Sequence, residues 1–444
     1  VNYNRTDSEW FQGDREVAKV VKNPLFMGVM EDTAFEIYPE KFQAHTLITG
    51  QSGCGKSSLV GRLVEELLLR GAGNVLLFDY NYEFAQFNKT NSKVFKGTWN
   101  KSNCAEDDKD AFTTVWKPLS KEFEFRSTRS LQRNNQKLKQ IKIKYSDIPL
   151  EQKAYLYGID RDKDAGAYWL IQLISRTKEL SSRIKEADGL KKLLSDIERW
   201  MEKRWSNGDE CLGDVVHQIP QYMNRLDQAK FVNGAERLIG HEIITFDEKD
   251  TSPYLDEDFF ESLFALKKFC EIDMLNFDQE QETIRKFVVL YALYRIWSIA
   301  KERYRKHKDE ESPADKNNDL SNLFIVIDEA HNIVPEDNGI DSDLSREVVR
   351  MLKTIAAEGR KFHLFLILIS QRPNKINANV ISECDNFIIM KSTPATIELL
   401  EKQLSLPGYC VQETQRYQTG QALYYGKFTD YEPKRVKGDI RRTK

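Results

Sequence analysis

Three continuous apolar runs, each stopping at polar residues, organise this chain. His45-Thr46-Leu47-Ile48-Thr49 ends at a glycine-rich segment, Leu323-Phe324-Ile325-Val326-Ile327 at Asp328-Glu329, and His363-Leu364-Phe365-Leu366-Ile367-Leu368-Ile369 at Ser370-Gln371-Arg372-Pro373. Runs without polar interruption predict strands buried on both faces, as in a parallel sheet covered by helices, rather than alternating strands with one wet face. A further strand is expected over Asn74–Asp79. Helical periodicity fills the intervals: Ser58–Arg70 follows the first strand, and in Leu344–Ala357 the residues Leu344, Val348, Met351, Leu352 and Ile355 fall on one face. The pattern predicts an α/β core with a mostly parallel sheet.

The polar ends of these strands carry the chemistry. Gly50-Gln51-Ser52-Gly53-Cys54-Gly55-Lys56-Ser57, followed by Ser58, fits the phosphate-loop pattern G-x-x-x-x-G-K-[ST] in its required place between strand and helix. Its glycines let backbone N–H groups face a phosphate, the helix N-terminus adds its dipole, Lys56 reaches the β and γ oxygens, and Ser57 is a Mg²⁺ ligand. A bland Gly-rich turn is the weaker alternative. Asp328 at a strand tip is placed to hold the metal, and Glu329 to take a proton from attacking water. Standing alone, either acid would serve equally well as a helix cap. Gln371 can bond the γ-phosphate or the lytic water, or simply close a turn before Pro373. Arg360, in Glu358-Gly359-Arg360-Lys361, is either a solvated helix end or a residue that reaches a phosphate across a subunit boundary, and Arg372 is a second candidate for that role.

In order and environment, these pieces resemble the HerA branch of the HerA–FtsK ring ATPases. The resemblance rests on the phosphate loop, Asp79-Tyr80-Asn81-Tyr82-Glu83-Phe84 after the second core strand, Asp328-Glu329-Ala330-His331, Glu358-Gly359-Arg360-Lys361, Ser370-Gln371-Arg372-Pro373, and Thr419-Gly420-Gln421-Ala422-Leu423. It covers roughly residues 25–95 and 320–437. The DEAH helicases share the Asp328–His331 letters, but they carry a Ser-Ala-Thr-type strand tip and two tandem cores, and this chain shows neither. The resemblance implies a RecA-like core, Mg²⁺-dependent ATP hydrolysis, a homohexameric ring with double-stranded DNA in its channel, and a neighbour's arginine at each site. It also implies a separate effector: a nuclease in DNA-end processing, or a nuclease or sirtuin-like NADase in antiphage defence. A ring that scaffolds and activates its effector without translocating is the alternative function. A secretion or conjugation motor would need a membrane anchor, and the sequence has no long apolar run to supply one.

The expected organisation is a segment over 1–25, core over 26–98 and 320–432, a mainly helical insertion over 99–319, and a basic tail over 433–444. Many HerA relatives carry a β-barrel before the phosphate loop, and the stretch here is expected to be too short for a complete one, the barrel being either lost or outside this sequence. The insertion is expected to hold helices at Ala165–Lys185, Gly189–Trp205 and Gln281–His307. Within it Arg126, Arg129, Arg133, Lys137, Lys139, Lys142 and Lys144 run without an acid among them. Such a run is either a solvated face or a sequence-blind contact to DNA phosphates. Lys301, Arg303, Arg305, Lys306 and Lys308 form a second basic candidate, and the tail cations a third. The net charge is −3, so DNA affinity must come from local patches of this kind. The six cysteines are scattered without C-x-x-C or Cys/His clusters, which argues against structural zinc and a disulfide framework. With no secretory signal, a cytoplasmic location is expected.

Overall fold

The computed structural model describes residues 24–31, 33–84, 123–127, 131–133, 136–138, 141–176, 192, 195, 225–240, 243–245, 253–265, 268–274, 282–309, 320–340, 342–403 and 408–438. The strands are β1 (Leu25–Met30), β2 (Thr33–Ile37), β3 (Thr46–Thr49), β4 (Asn74–Asp79), β5 (Phe123–Ser127), β6 (Leu131–Arg133), β7 (Gln136–Leu138), β8 (Ile143–Lys144), β9 (Ile244–Thr245), β10 (Phe269–Asp273), β11 (Leu323–Ile327), β12 (Leu364–Ser370), β13 (Asn386–Ile389), β14 (Gln421–Gly426) and β15 (Lys434–Gly438). Eleven of them form one sheet in the order β2-β1-β15-β14-β13-β3-β12-β11-β4-β10-β5. From β13 to β5 every neighbouring pair is parallel. From β13 outward to β2 every pair is antiparallel.

Helices cover both faces of the parallel part, which is why β3, β11 and β12 are buried along their whole length. Three of the long ones are α1 (Lys56–Leu69), α2 (Glu282–Asp309) and α3 (Asp343–Glu358). Along β11 the side chains alternate between two cores: Phe324 and Val326 pack with Leu63 and Leu67 of α1, while Leu323, Ile325 and Ile327 pack with Val289 and Leu293 of α2 and Leu352 of α3. Each such side chain taken fully out of water contributes about 2 kcal/mol. A buried acid joins β1 to α1, where Glu66 accepts from Arg62 at 2.6 Å and from the Phe26 N–H at 2.9 Å. Ser342 caps α3 by accepting from the Ser345 N–H at 3.2 Å.

The sheet order brings the three polar tips to one edge. β12 lies between β3 and β11, with Ser370 in register with Thr49 and Leu368 with Ile327, while Phe78 of β4 is in register with Ile327 on the other side. The segments that follow β3, β4, β11 and β12 therefore meet at the carboxyl ends of the strands, where open α/β sheets place their ligands.

Two parts differ from the sequence expectation. The stretch expected as a mainly helical insertion sends β10 and β5 into the sheet beside β4, as parallel strands. Helices are also present in it: Ala165–Arg176, Arg225–Gly240 and α2, Glu282–Asp309 where 281–307 was expected. Of the expected helix over 189–205, only the helical residues 192 and 195 are among those described. The tail also differs, because Lys434–Gly438 is strand β15, paired with both β14 and β1. Arg129 and Lys139 lie outside the described residues, while Arg126, Arg133 and Lys137 fall in β5, β6 and β7.

Candidate functional site

Strand β3 hands the chain to the phosphate loop through Gly50, where a Cβ would lie 2.8 Å from both Cys54 Sγ and Met390 Cβ. Gly55, at φ +99, takes the left-handed turn that starts α1, a conformation glycine adopts without strain. No side chain caps α1, so the N–H groups of its first turn face the loop as an anion site. Lys56 Nζ donates to the Gly50 carbonyl at 2.8 Å and the Gln51 carbonyl at 3.0 Å. The Ser57 hydroxyl donates to the Glu83 carboxylate. The outer flank of the loop is held by other backbone: the Gln51 N–H donates to the Lys391 carbonyl at 2.7 Å, and the Gly420 N–H to the Cys54 carbonyl at 3.0 Å.

Glu83 reaches Ser57 because Asp79 shapes the turn after β4. Its two carboxylate oxygens accept from the Asn81 N–H at 3.1 Å and the Phe84 N–H at 2.9 Å. Asn81 in turn donates its side-chain N–H to Asp328 Oδ2 at 3.1 Å. Asp328 is 6% exposed. Burial first, then the charges of Asp79, Glu329 and Glu83, push its pKa up to about 8. Burial also raises Asp79. Such a cluster of acids favours a cation: Ser57 and Asp328 fit Mg²⁺, which takes one or two carboxylates and completes its shell with phosphate oxygens and water. Among the described residues no three acids, histidines or cysteines form an all-protein metal cage.

Glu329 follows with φ +45, a left-handed backbone rare for a residue other than glycine. Its Oε1 accepts from Gln371 Nε2 at 2.6 Å, so the tips of β11 and β12 are joined by side chains. Oε2 lies 3.3 Å from His331 Nδ1, and that nitrogen lies 3.0 Å from Ser370 Oγ. Burial lowers the His331 pKa, assisted by Arg372 and Lys375 and opposed by Glu329. A cleft of about 220 Å³ brings together Lys56, Ser57, Glu83, Asp328, Glu329 and Gln371, with Ser52, Gly53, Gly55 and Ser58 also on its wall.

Arg372 is exposed beside the cleft. Arg360 sits elsewhere. It precedes β12, at the amino ends of the strands, and is held by Asp385 Oδ2 at 2.5 Å and the Glu383 carbonyl at 2.8 Å. The structure thus separates Arg360 from its own phosphate loop. Glu83 and Asn81 were missed as site residues, although they stand in the acidic-aromatic segment after β4. Their signal was that segment's position at the tip of a core strand.

The family model described as "Helicase HerA, central domain" matches residues 27–386. The DNA double-strand break repair helicase HerA of Sulfurisphaera tokodaii is 21% identical over 401 residues, 89% of this chain and 65% of that protein. Its counterpart in Sulfolobus acidocaldarius is 24% identical over 386 residues, 86% of this chain and 62% of the relative. The chain therefore spans less than two thirds of either relative. In fold it is similar to VirB4 of Thermoanaerobacter pseudethanolicus, with a TM-score of 0.55 at 11% identity, covering 94% of this chain and 96% of that one. It is also similar to the bacterial conjugative coupling protein TrwB lacking its N-terminal segment, with a TM-score of 0.52 at 11% identity, covering 97% and 90%.

Proposed function

Because the chain belongs to the family of the HerA helicase central domain and has the fold and phosphate loop of a P-loop ATPase, we propose that it hydrolyses ATP with Mg²⁺ and couples hydrolysis to movement on double-stranded DNA as a homohexameric ring. The observation that carries this reading is the convergence of Lys56 and Ser57 with Asp328, Glu329 and Gln371 at one cleft. Lys56 and the first-turn N–H groups of α1 hold the phosphates in line. Glu329 accepts the proton of a water that attacks the γ-phosphorus, the bond to the β–γ bridging oxygen breaks, and ADP and phosphate leave. Gln371 bonds the water or the γ-phosphate and carries the loss of phosphate into β12. Ser57 and Asp328 would hold Mg²⁺, which when bound offsets charge on the phosphate oxygens.

Arg360 faces away from its own cleft, so its functional role would be at a neighbour's site, whereas Arg372 borders its own. DNA contact is assigned to the basic run from Arg126 to Lys144. The effector is a nuclease or a sirtuin-like NADase, in antiphage defence or DNA-end processing, and the motor is cytoplasmic. What supports the DNA reading is that both HerA relatives are named as DNA repair helicases. Light scattering with ATP and Mg²⁺ tests the ring, which predicts six copies of the 51.8 kDa chain. A monomer at micromolar concentration with nucleotide bound would refute it.

A further inference from the structure

His331 is used by no step above, yet its ring is placed where the base is controlled. Glu329 has two carboxylate oxygens and two neighbours: Gln371 Nε2 donates to Oε1 at 2.6 Å, and His331 Nδ1 stands 3.3 Å from Oε2. The same Nδ1 is 3.0 Å from Ser370 Oγ, and that hydroxyl oxygen already accepts from the Arg372 N–H at 2.9 Å. Ser370 is fully buried at the end of β12, so the hydroxyl is a fixed point for the ring. Ser370 and Gln371 are consecutive residues. One strand tip therefore orients both groups that border the Glu329 carboxylate.

We propose that His331 is a positioning residue for Glu329: through Ser370 and Nδ1 it sets where the second carboxylate oxygen points, while Gln371 holds the first. A proton on Nδ1 lets the ring donate to Oε2. Without that proton, the one lone pair of Nδ1 accepts from the Ser370 hydroxyl, and Oε2 is left with no donor to hold it. A shift of the β12 tip on phosphate release would move both contacts together, so the base is aligned only in one state of the strand. This inference rests on Glu329 being the base.

The test is steady-state ATPase kinetics of the full chain with Mg²⁺, with binding of a fluorescent ADP analogue measured in parallel. His331→Ala should lower kcat tenfold or more while KM and ADP affinity stay within about threefold, the signature of an interaction made in the transition state. His331→Asn, whose amide can donate from near the Nδ1 position, should return kcat to within about threefold of the parent. Ser370→Ala should lower kcat in the same direction, and it supplies the test if His331→Ala does not fold. A kcat within twofold for the alanine variants, a joint fall of kcat and ADP affinity, or no recovery in His331→Asn would overturn the inference. Glu329→Gln separates the two levels. If it hydrolyses ATP normally, the assignment of the base is wrong; if it is inactive while His331→Ala is normal, only the role of His331 is wrong.

Discussion

At the scale of the residue, the site is defined by where charge is concentrated. Lys56 is the cation in contact with the phosphate loop carbonyls, and opposite it stand Glu83, Asp328 and Glu329. Lys56→Ala should lower kcat/KM by at least a hundredfold with loss of nucleotide affinity, read by ATPase and ADP-analogue titration. Glu329→Gln should lower kcat by a similar factor and leave binding within about threefold, because the change removes a base and little else. Asp328 makes a pH prediction. Its folded pKa is about 8 against an ordinary 3.8, so the folded chain keeps a proton that the unfolded chain releases. Stability from this group is full below about pH 4 and is lost as pH rises toward 8. The melting temperature of ligand-free Asp328→Asn should therefore gain on the parent as pH rises from 5 to 8.5, by about 2 °C or more. A constant difference across that range would show that Asp328 does not titrate there. Lys56, Asp328, Glu329 and Gln371 were legible as a set because each ends or follows an apolar strand. His331 was not, since its partners Ser370 and Glu329 meet it only once β12 is laid beside β11.

At the scale of the element, legibility followed apolar continuity. β3, β11 and β12 could be read because every face of them is buried. β10 hides its nature: Phe269-Cys270-Glu271-Ile272-Asp273 carries two acids, both fully buried, so neither periodicity nor hydropathy marks a central strand. In β15, Lys434-Arg435-Val436-Lys437-Gly438, Val436 is the one apolar residue, and its strand character comes from the ladders to β14 and β1. That pairing makes the supposed tail a structural element with a route to the site. The Gly438 N–H donates to the Gly420 carbonyl at 2.7 Å, and the Gly420 N–H donates to the Cys54 carbonyl of the phosphate loop. Truncation after Glu432 should therefore lower the melting temperature by about 5 °C or more and weaken ADP binding at least threefold, measured by calorimetry and titration. A detachable tail would leave both unchanged.

At the scale of the whole molecule, global charge says little about partners, and the contacts of individual cations say more. Of the second basic candidate, Lys306 pairs with Glu302 at 2.8 Å, while Lys301, Arg303 and Lys308 lie over the rings of Trp297, Phe264 and Tyr304. Lys144 of the first run lies over Tyr254. Each of these cations thus has a contact within the fold, and the proposed DNA contact is tested in the first run. Replacing Arg126, Arg133 and Lys137 together with Ala should weaken duplex binding at low salt and reduce its salt dependence, with basal ATPase retained. Equal binding by the triple variant would place the DNA contact elsewhere. Among the described residues no helix is long and apolar enough to cross a membrane.

The proposed coupling joins hydrolysis at the Lys56–Glu329 cleft to duplex DNA. Its most direct test is the ATPase rate of the purified chain with and without linear double-stranded DNA, with Glu329→Gln as the blank. The rate should be severalfold higher with DNA and no higher than background in the variant. A rate indifferent to DNA would contradict the motor and favour a ring that scaffolds an effector, and a rate surviving Glu329→Gln would contradict the site itself.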